Sequence, residues 1–231
     1  MCRSYAFKRL PPYPFNFRIL HYLAILFWMI CTPALACENP TDCAIPKCKG
    51  EGCDIVAKKS AWPAGSLQDT LITAKIGAYT LHLPNNCVLS FVPYEAIIAA
   101  QCTQGKIIFS MFSEQDFQQS GFEKQMLGSK LTISQMPGIM FLQTPSSPQP
   151  KEEPDVFLWN HALFAKSIWF QKNSKPEYAQ KAGNTLYYCY DCGNSAFFGR
   201  YVKASTPNAY LEIIAKNTAR EFINGIVNSI E

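Results

Sequence analysis

The sequence has little histidine and lacks the short motifs of common hydrolases and nucleotide-binding enzymes. Only three histidines occur among its 231 residues. No G-x-S-x-G, H-E-x-x-H, Walker A or G-x-G-x-x-G pattern is present, and no EF-hand series of acidic residues. Because histidine is the usual general base at neutral pH, we predict no catalytic residue, no cofactor and no metal site.

Two of the three histidines lie in segments whose pattern suggests a structural position. His82 alternates with Leu81 and Leu83, so it is expected on the exposed or rim side of a strand with one buried face. His161 lies near Phe157 on a predicted helix, where a core or rim histidine is the more common outcome than a ligand. Neither histidine is therefore assigned a role in chemistry.

The first 36 residues have the pattern of an export signal. Arg3, Lys8, Arg9 and Arg18 precede an apolar run at residues 19–31, and the small-residue site Ala-Leu-Ala ends at residue 36. The apolar run is shorter than the roughly 20 residues of a membrane-spanning helix. An uncleaved anchor or a buried helix is the alternative. No later apolar run is long enough to span a membrane, so no transmembrane helix is predicted after signal removal.

Removal of this segment also removes the excess positive charge. The chain has 21 Lys+Arg and 17 Asp+Glu; four bases and no acid precede residue 37, which leaves 17 of each sign. Phosphate binding needs a surplus of cations, so nucleic acid is not expected as a partner. The expected partner is another protein.

Eight of the ten cysteines remain after residue 36. An even number of thiols delivered to an oxidising compartment predicts a set of disulfides. The eight residues are Cys37, Cys43, Cys48, Cys53, Cys87, Cys102, Cys189 and Cys192.

One pairing follows from strand register. Residues 87–92 and 96–102 both favour β-structure, and Tyr94 with Glu95 fits a two-residue turn between them. Cys87 then lies directly opposite Cys102, at a separation that a disulfide can span. We predict a Cys87–Cys102 bridge.

The C-x-x-C pair, Cys189 and Cys192, has three interpretations. A structural disulfide at the end of a hairpin is favoured, because residues 186–190 and 196–202 are strand-like and the segment between them has turn composition. A thioredoxin-type redox pair would lie at a helix N-terminus, where the dipole lowers the thiol pKa. A zinc site would need a second ligand pair with the usual spacing.

The N-terminal cysteines are expected to form a small disulfide-bonded knot of Cys37, Cys43, Cys48 and Cys53. The tetrapeptide that ends at Cys37 resembles a degenerate bacterial lipoprotein box, with Ala34 where leucine is usual. Lipidation of Cys37 would leave one of the remaining seven cysteines unpaired, so cysteine parity favours a disulfide there. The resemblance implies a bacterial envelope protein, and a lipid anchor at Cys37 is the alternative.

The remaining pattern predicts the α+β fold class. We expect an antiparallel sheet of about six to eight strands with two or three helices packed on it, ending in a strand and an amphipathic helix. Strands are expected at residues 76–83, 87–92, 96–102, 106–112, 130–134, 139–142 and 210–215, with another beginning at 168–171. Three helices are expected. The first covers residues 114–127, with Ser113 as its N-cap, and the second covers residues 155–166. The third follows a capping box formed by Thr218 and Glu221.

Three segments follow from these patterns. Residues 1–36 are the export signal, residues 37–60 a cysteine-rich segment, and residues 61–231 a single α+β domain with a proline-rich surface loop at 144–154.

Two functional hypotheses follow. The first is an exported, periplasmic or extracellular binding or inhibitory protein without catalytic activity, similar to immunity proteins and inhibitors, with Tyr187, Tyr188 and Tyr190 and the 144–154 loop as candidate contact surfaces. A half-buried sheet face is the alternative for the three tyrosines. The second hypothesis is a thiol-disulfide oxidoreductase that uses Cys189 and Cys192.

Overall fold

The structure is a computed structural model, and it describes residues 47–67, 71–92, 96–117 and 127–231. The described residues belong to one compact unit, Ala44–Glu231. The predicted export signal, Cys37 and Cys43 lie outside the described residues. The strands are β1 (Lys58–Lys59), β2 (Leu71–Ile76), β3 (Tyr79–Pro84), β4 (Val88–Val92), β5 (Ile97–Cys102), β6 (Gly105–Ser113), β7 (Glu177–Lys181), β8 (Asn184–Tyr190), β9 (Phe197–Val202) and β10 (Ala209–Lys216).

Four α-helices occur in the described part of the chain, together with two short 3-10 helices. The α-helices are α1 (Glu114–Phe117), α2 (Met136–Leu142), α3 (Glu153–Trp169) and α4 (Arg220–Asn228). The 3-10 helices are Glu51–Asp54 and Ile133–Gln135.

Eight strands form one sheet in the order β1-β7-β8-β9-β10-β6-β5-β4, and β2 with β3 forms a separate hairpin. Neighbouring strands are antiparallel except for β1 and β7, which are parallel. The sheet is therefore mixed, and the predicted α+β class, with a terminal strand followed by an amphipathic helix, is confirmed.

The sheet is covered on both faces. On one face, the β2–β3 hairpin and α4 pack against β5, β6, β9 and β10 through buried side chains such as Leu81, Phe109 and Ile226. On the other face, α2 and α3 pack through Phe141, Leu158 and neighbouring apolar residues. Burial of a large apolar side chain stabilises the fold by roughly 1.5–3 kcal/mol, so these two clusters provide most of the driving force.

The strands predicted at 87–92, 96–102, 106–112 and 210–215 are present within one residue of their predicted ends. The strand predicted at 76–83 begins only at Tyr79, because Gly77, with a φ of 54°, and Ala78 form the turn between β2 and β3. In the hairpin of β4 and β5, Val88 pairs with Gln101 and Val92 with Ile97, which is the register that places Cys87 opposite Cys102. Tyr94 and Glu95 lie outside the described residues. His82 alternates with fully buried Leu81 on β3, as predicted.

The helix predicted at residues 114–127 begins at Glu114 and is described to Phe117. Its predicted cap is present, because the Asp116 N–H donates to Ser113 Oγ at 3.3 Å and the Ser113 N–H donates to the Asp116 carboxylate at 2.7 Å. The helix predicted at residues 155–166 is longer than expected and spans Glu153–Trp169. It therefore begins within the proline-rich segment, with Pro154 in its first turn.

Four local predictions are wrong. Residues 130–134 and 139–142 are not strands: a 3-10 turn leads into α2, where Pro137 lies in the first turn and its fixed φ favours a helix start. No strand begins at residues 168–171: Ile168 and Trp169 complete α3, and Phe170 is its extended C-cap. The Thr218 hydroxyl donates to the Lys216 carbonyl and does not cap α4, whose N-cap is Ala219.

Candidate functional site

The structure contains three disulfides among its described residues: Cys48–Cys53, Cys87–Cys102 and Cys189–Cys192. The Cys87 and Cys102 Cα atoms are 4.0 Å apart. Of the four N-terminal cysteines predicted to form a knot, two lie in the described residues, and these two, Cys48 and Cys53, are bonded to each other. Cys37 and Cys43 of the predicted knot lie outside the described residues.

The C-x-x-C disulfide lies at the end of the β8–β9 hairpin. Cys189 is on β8 and Cys192 is in the connection, where Asp191 and Gly193 have φ values of 53° and 61°. Both cysteines are 0% exposed, and Cys189 occupies a strand instead of a helix N-terminus. A substrate thiolate therefore has no access to either sulfur in this conformation.

The three candidate tyrosines make internal contacts. Tyr188 is 3% exposed, and its hydroxyl donates to Glu177 at 2.6 Å. Tyr190 stacks against Arg220, whose guanidinium carbon lies 3.8 Å from the ring centroid. Tyr187 packs beside Phe141 on the α2–α3 face. These contacts favour the half-buried sheet face, and they leave Tyr188 inaccessible to a partner.

The proline-rich loop is held against the body of the molecule at its C-terminal end. Asp155 of α3 is buried and accepts hydrogen bonds from the Ser129 hydroxyl at 2.6 Å and from the Lys130 N–H at 2.8 Å. Burial alone would raise the pKa of Asp155, but these bonds and the N–H of Leu131 lower it. Asp155 thus has a structural role.

A buried ion pair joins β9 and β10. Arg200 and Glu212 are directly paired on β9 and β10, and both the Nε and an Nη of Arg200 lie 3.0 Å from one Glu212 carboxylate oxygen. The guanidinium also lies over the rings of Phe198 and Tyr210, at 5.4 and 5.0 Å from their centroids. Burial raises the pKa of Tyr210, although Arg200 opposes this.

His161 of α3 lies near this ion pair. Burial and, to a smaller extent, the positive charge of Arg200 together lower the pKa of His161 to about 4. The imidazole is therefore neutral at pH 7. Both members of the ion pair are buried, so the arrangement is suited to holding β9 and β10 together.

Two further observations limit the chemistry of the described residues. In the described part of the chain, no three His, Cys, Asp or Glu side chains are grouped as metal ligands would be. A shallow surface depression lies beside the C-x-x-C connection, and Asp191 is the only ionisable residue that lines it. Besides the Asp191 carboxylate it is lined by the Ser195 and Thr218 hydroxyls, and its lining residues include no histidine, cysteine or lysine.

The β4 edge, which we define as residues Val88–Val92, is the most exposed apolar feature of the sheet. Val88 is 69% and Phe91 is 60% exposed, whereas Leu89 is partly buried. β4 is the terminal strand of the described sheet, so one side of its backbone has no neighbouring strand there. It has no charged residue and no proline.

The opposite edge of the sheet differs in length and in charge. It is formed by β1, which has only two residues, Lys58 and Lys59, both exposed. Short edge strands that bear lysine are a common protection against pairing with another chain. The β4 edge lacks that protection, and this contrast makes it the candidate functional site.

The sequence predicted the β4 strand but not its position at an edge. The available signal is the composition of residues 88–92, in which apolar side chains occur on both faces of a strand without any charge. Strand order, however, cannot be deduced from that pattern.

No helix in the described part of the chain is long and apolar enough to cross a membrane.

Comparison with known proteins does not assign the chain to a family. No family model matches the chain, and no curated protein matches it. A crystal structure from Bacteroides thetaiotaomicron VPI-5482 is 11% identical, with a TM-score of 0.31, and the match covers 71% of this chain and 48% of that chain. This chain thus spans about half the length of that protein, and the low TM-score supports no inference.

Proposed function

We propose that this chain is an exported, disulfide-bonded protein without catalytic activity that acts by binding another polypeptide, as inhibitors and immunity proteins do. The observation that supports this proposal most is the β4 edge, where Val88 and Phe91 are exposed and no residue of the strand is charged. Such an edge can accept an extended segment as an additional strand, with backbone hydrogen bonds giving affinity and side-chain contacts giving specificity.

Export is part of this proposal. It is supported by the basic and apolar pattern of residues 1–36 and by three disulfides among the described residues, which are compatible with an oxidising compartment. Intact mass of the protein from its native envelope tests it. The expected mass is that of residues 37–231, with a gain of eight hydrogens on reduction; an added diacylglyceryl group would instead indicate a lipid anchor at Cys37.

No observation favours the thiol oxidoreductase. Catalytic exchange needs a thiolate that can reach a substrate disulfide, whereas Cys189 and Cys192 are both fully buried behind the hairpin end. The same disulfide fits a role in fixing the connection between β8 and β9.

A site-specific photo-crosslinking experiment tests the binding function. A benzophenone amino acid replaces Phe91 on the β4 edge, and the matched control replaces Gln180, an exposed residue of β7. We expect covalent adducts with a polypeptide from position 91 and none from position 180 after irradiation of intact cells. Absence of any adduct from position 91 in every cell fraction would contradict the proposed function.

A further inference from the structure

The sequence of the β4 edge is nearly the same when read in either direction. Val-Leu-Ser-Phe-Val has valine at both ends, a large apolar residue on each side of the centre, and Ser90 in the middle. We propose that the polypeptide bound at this edge is a second copy of the chain, paired antiparallel with Ser90 opposite Ser90. This inference rests on the proposed function, since it names the partner of the same edge.

The symmetric register matches side chains of similar type. Opposite residues of an antiparallel pair point to the same face of a sheet. A two-fold axis perpendicular to the sheet would therefore place Val88 beside Val92 of the second copy and Phe91 beside its Leu89. An isologous contact of this kind is the commonest form of dimer symmetry.

The absence of charge favours a self-pairing edge. Across a two-fold axis, each charged residue would meet a residue of the same strand, and a strand with charges of one sign would repel itself. Neither β4 nor its neighbour β5 has a charged residue. At the other edge, antiparallel self-pairing of β1 would place Lys58 opposite Lys59, so that edge is unsuited to it.

The edge is also held in place before it pairs. β4 follows directly on Cys87, whose disulfide to Cys102 fixes the beginning of the strand against the end of β5. Binding by a segment that is already ordered loses less conformational entropy. The exposed faces of Val88 and Phe91 would lose water on pairing, which adds the apolar contribution.

A charge-swap experiment at Ser90 tests the second copy directly. Ser90 is exposed, so Ser90→Lys and Ser90→Glu are expected to leave the thermal unfolding temperature nearly unchanged. In sedimentation equilibrium of the protein purified from its native compartment, we expect a dimer for the wild type. Each single variant should dimerise at least roughly tenfold more weakly, because like charges would lie about 5 Å apart near the surface.

An equimolar mixture of the Ser90→Lys and Ser90→Glu variants should recover the dimer, since opposite charges then face each other. The control Gln180→Lys adds the same charge on β7 and should dimerise as the wild type does. A monomeric wild type, or a Ser90→Lys variant that dimerises fully, would overturn the inference. If position 91 crosslinks only to a different polypeptide, the second copy is wrong and the binding function stands; if it crosslinks to nothing, both fail.

Discussion

Replacement of Arg200 by methionine should destabilise the fold strongly, because it leaves one member of a buried ion pair without its partner. Arg200 is 6% and Glu212 3% exposed, and two guanidinium nitrogens lie 3.0 Å from a carboxylate oxygen. Methionine keeps much of the apolar volume between Phe198 and Tyr210. The substitution therefore isolates the loss of the charge and its hydrogen bonds.

The expected cost of Arg200→Met is roughly 3–5 kcal/mol in the free energy of unfolding, the usual range when one partner of a buried pair is removed. For a protein of this size, each kcal/mol lowers the unfolding temperature by about 2–4 °C. The variant should thus unfold roughly 6–20 °C below the wild type. Removal of both charges, in Arg200→Met with Glu212→Leu, should recover most of that loss, because no buried charge is then left unpaired.

The loss in the free energy of unfolding caused by Arg200→Met should also depend on pH. Burial raises the pKa of Glu212, and Arg200 opposes that rise; without Arg200 the pKa rises further. A carboxyl whose folded pKa exceeds its unfolded value binds protons more readily in the fold, so the variant loses stability as pH rises above about 4. Urea unfolding of the wild type, the single variant and the double variant at pH 4 and pH 8 measures this. Equal deficits at both pH values, or a double variant no more stable than the single, would refute the reasoning.

Three other predictions concern the cysteines and His161. Replacement of Cys87 and Cys102 together by alanine should cost about 3 kcal/mol, because the disulfide closes a loop of 15 residues, and urea unfolding measures it; a loss below about 1 kcal/mol would show that the bridge is strained or redundant. Cys192→Ser should trap no mixed disulfide with other proteins in cell extracts on non-reducing gels, and recovery of such adducts would revive the redox function. Because burial lowers the pKa of His161 to about 4, its neutral form contributes stability that is lost as pH falls from about 6.5 towards 4. His161→Leu should flatten this part of the stability profile, and an unchanged profile would contradict the assignment.

Predictions from local pattern succeeded where one chemical signal determines the geometry. The register of β4 and β5 follows from the turn and the two cysteines, because only one alignment places Cys87 opposite Cys102. The β8–β9 hairpin was similarly marked by turn composition between aromatic strands. In both cases the interacting residues are close in sequence, so no knowledge of the tertiary fold was needed.

Prediction failed where local pattern was ambiguous or atypical. β7 was missed because Glu177–Lys181 is largely polar, and because its turn to β8 uses Ala182 and Gly183, both with positive φ. Such a two-residue turn usually begins with Asn, Asp or Gly. The short apolar segment that forms α2 fits a strand or a helix equally well by periodicity, and its packing against α3 decides the outcome.

The exposure of the β4 edge could not be predicted from the sequence for a different reason. Whether Val88 and Phe91 are exposed depends on which strand lies beside β4. The order of strands in the sheet does not follow the order of the chain, since β10 lies between β9 and β6. Likewise, Arg200 and Glu212 meet only because β9 and β10 pair in one register. Their sequence separation carries no signal for the contact.

The Cys87–Cys102 disulfide connects the redox environment to the β4 edge. A terminal strand has backbone hydrogen bonds on one side only, so it is held less firmly than a central strand and tends to fray. The described disulfides span 5, 15 and 3 residues, and the entropic effect grows with loop length, so the bond at the β4 edge has the largest expected effect. It holds in place a strand that has only one neighbouring strand in the described sheet. Reduction should therefore loosen the β4 edge more than the core, since β8, β9 and β10 each pair with strands on both sides.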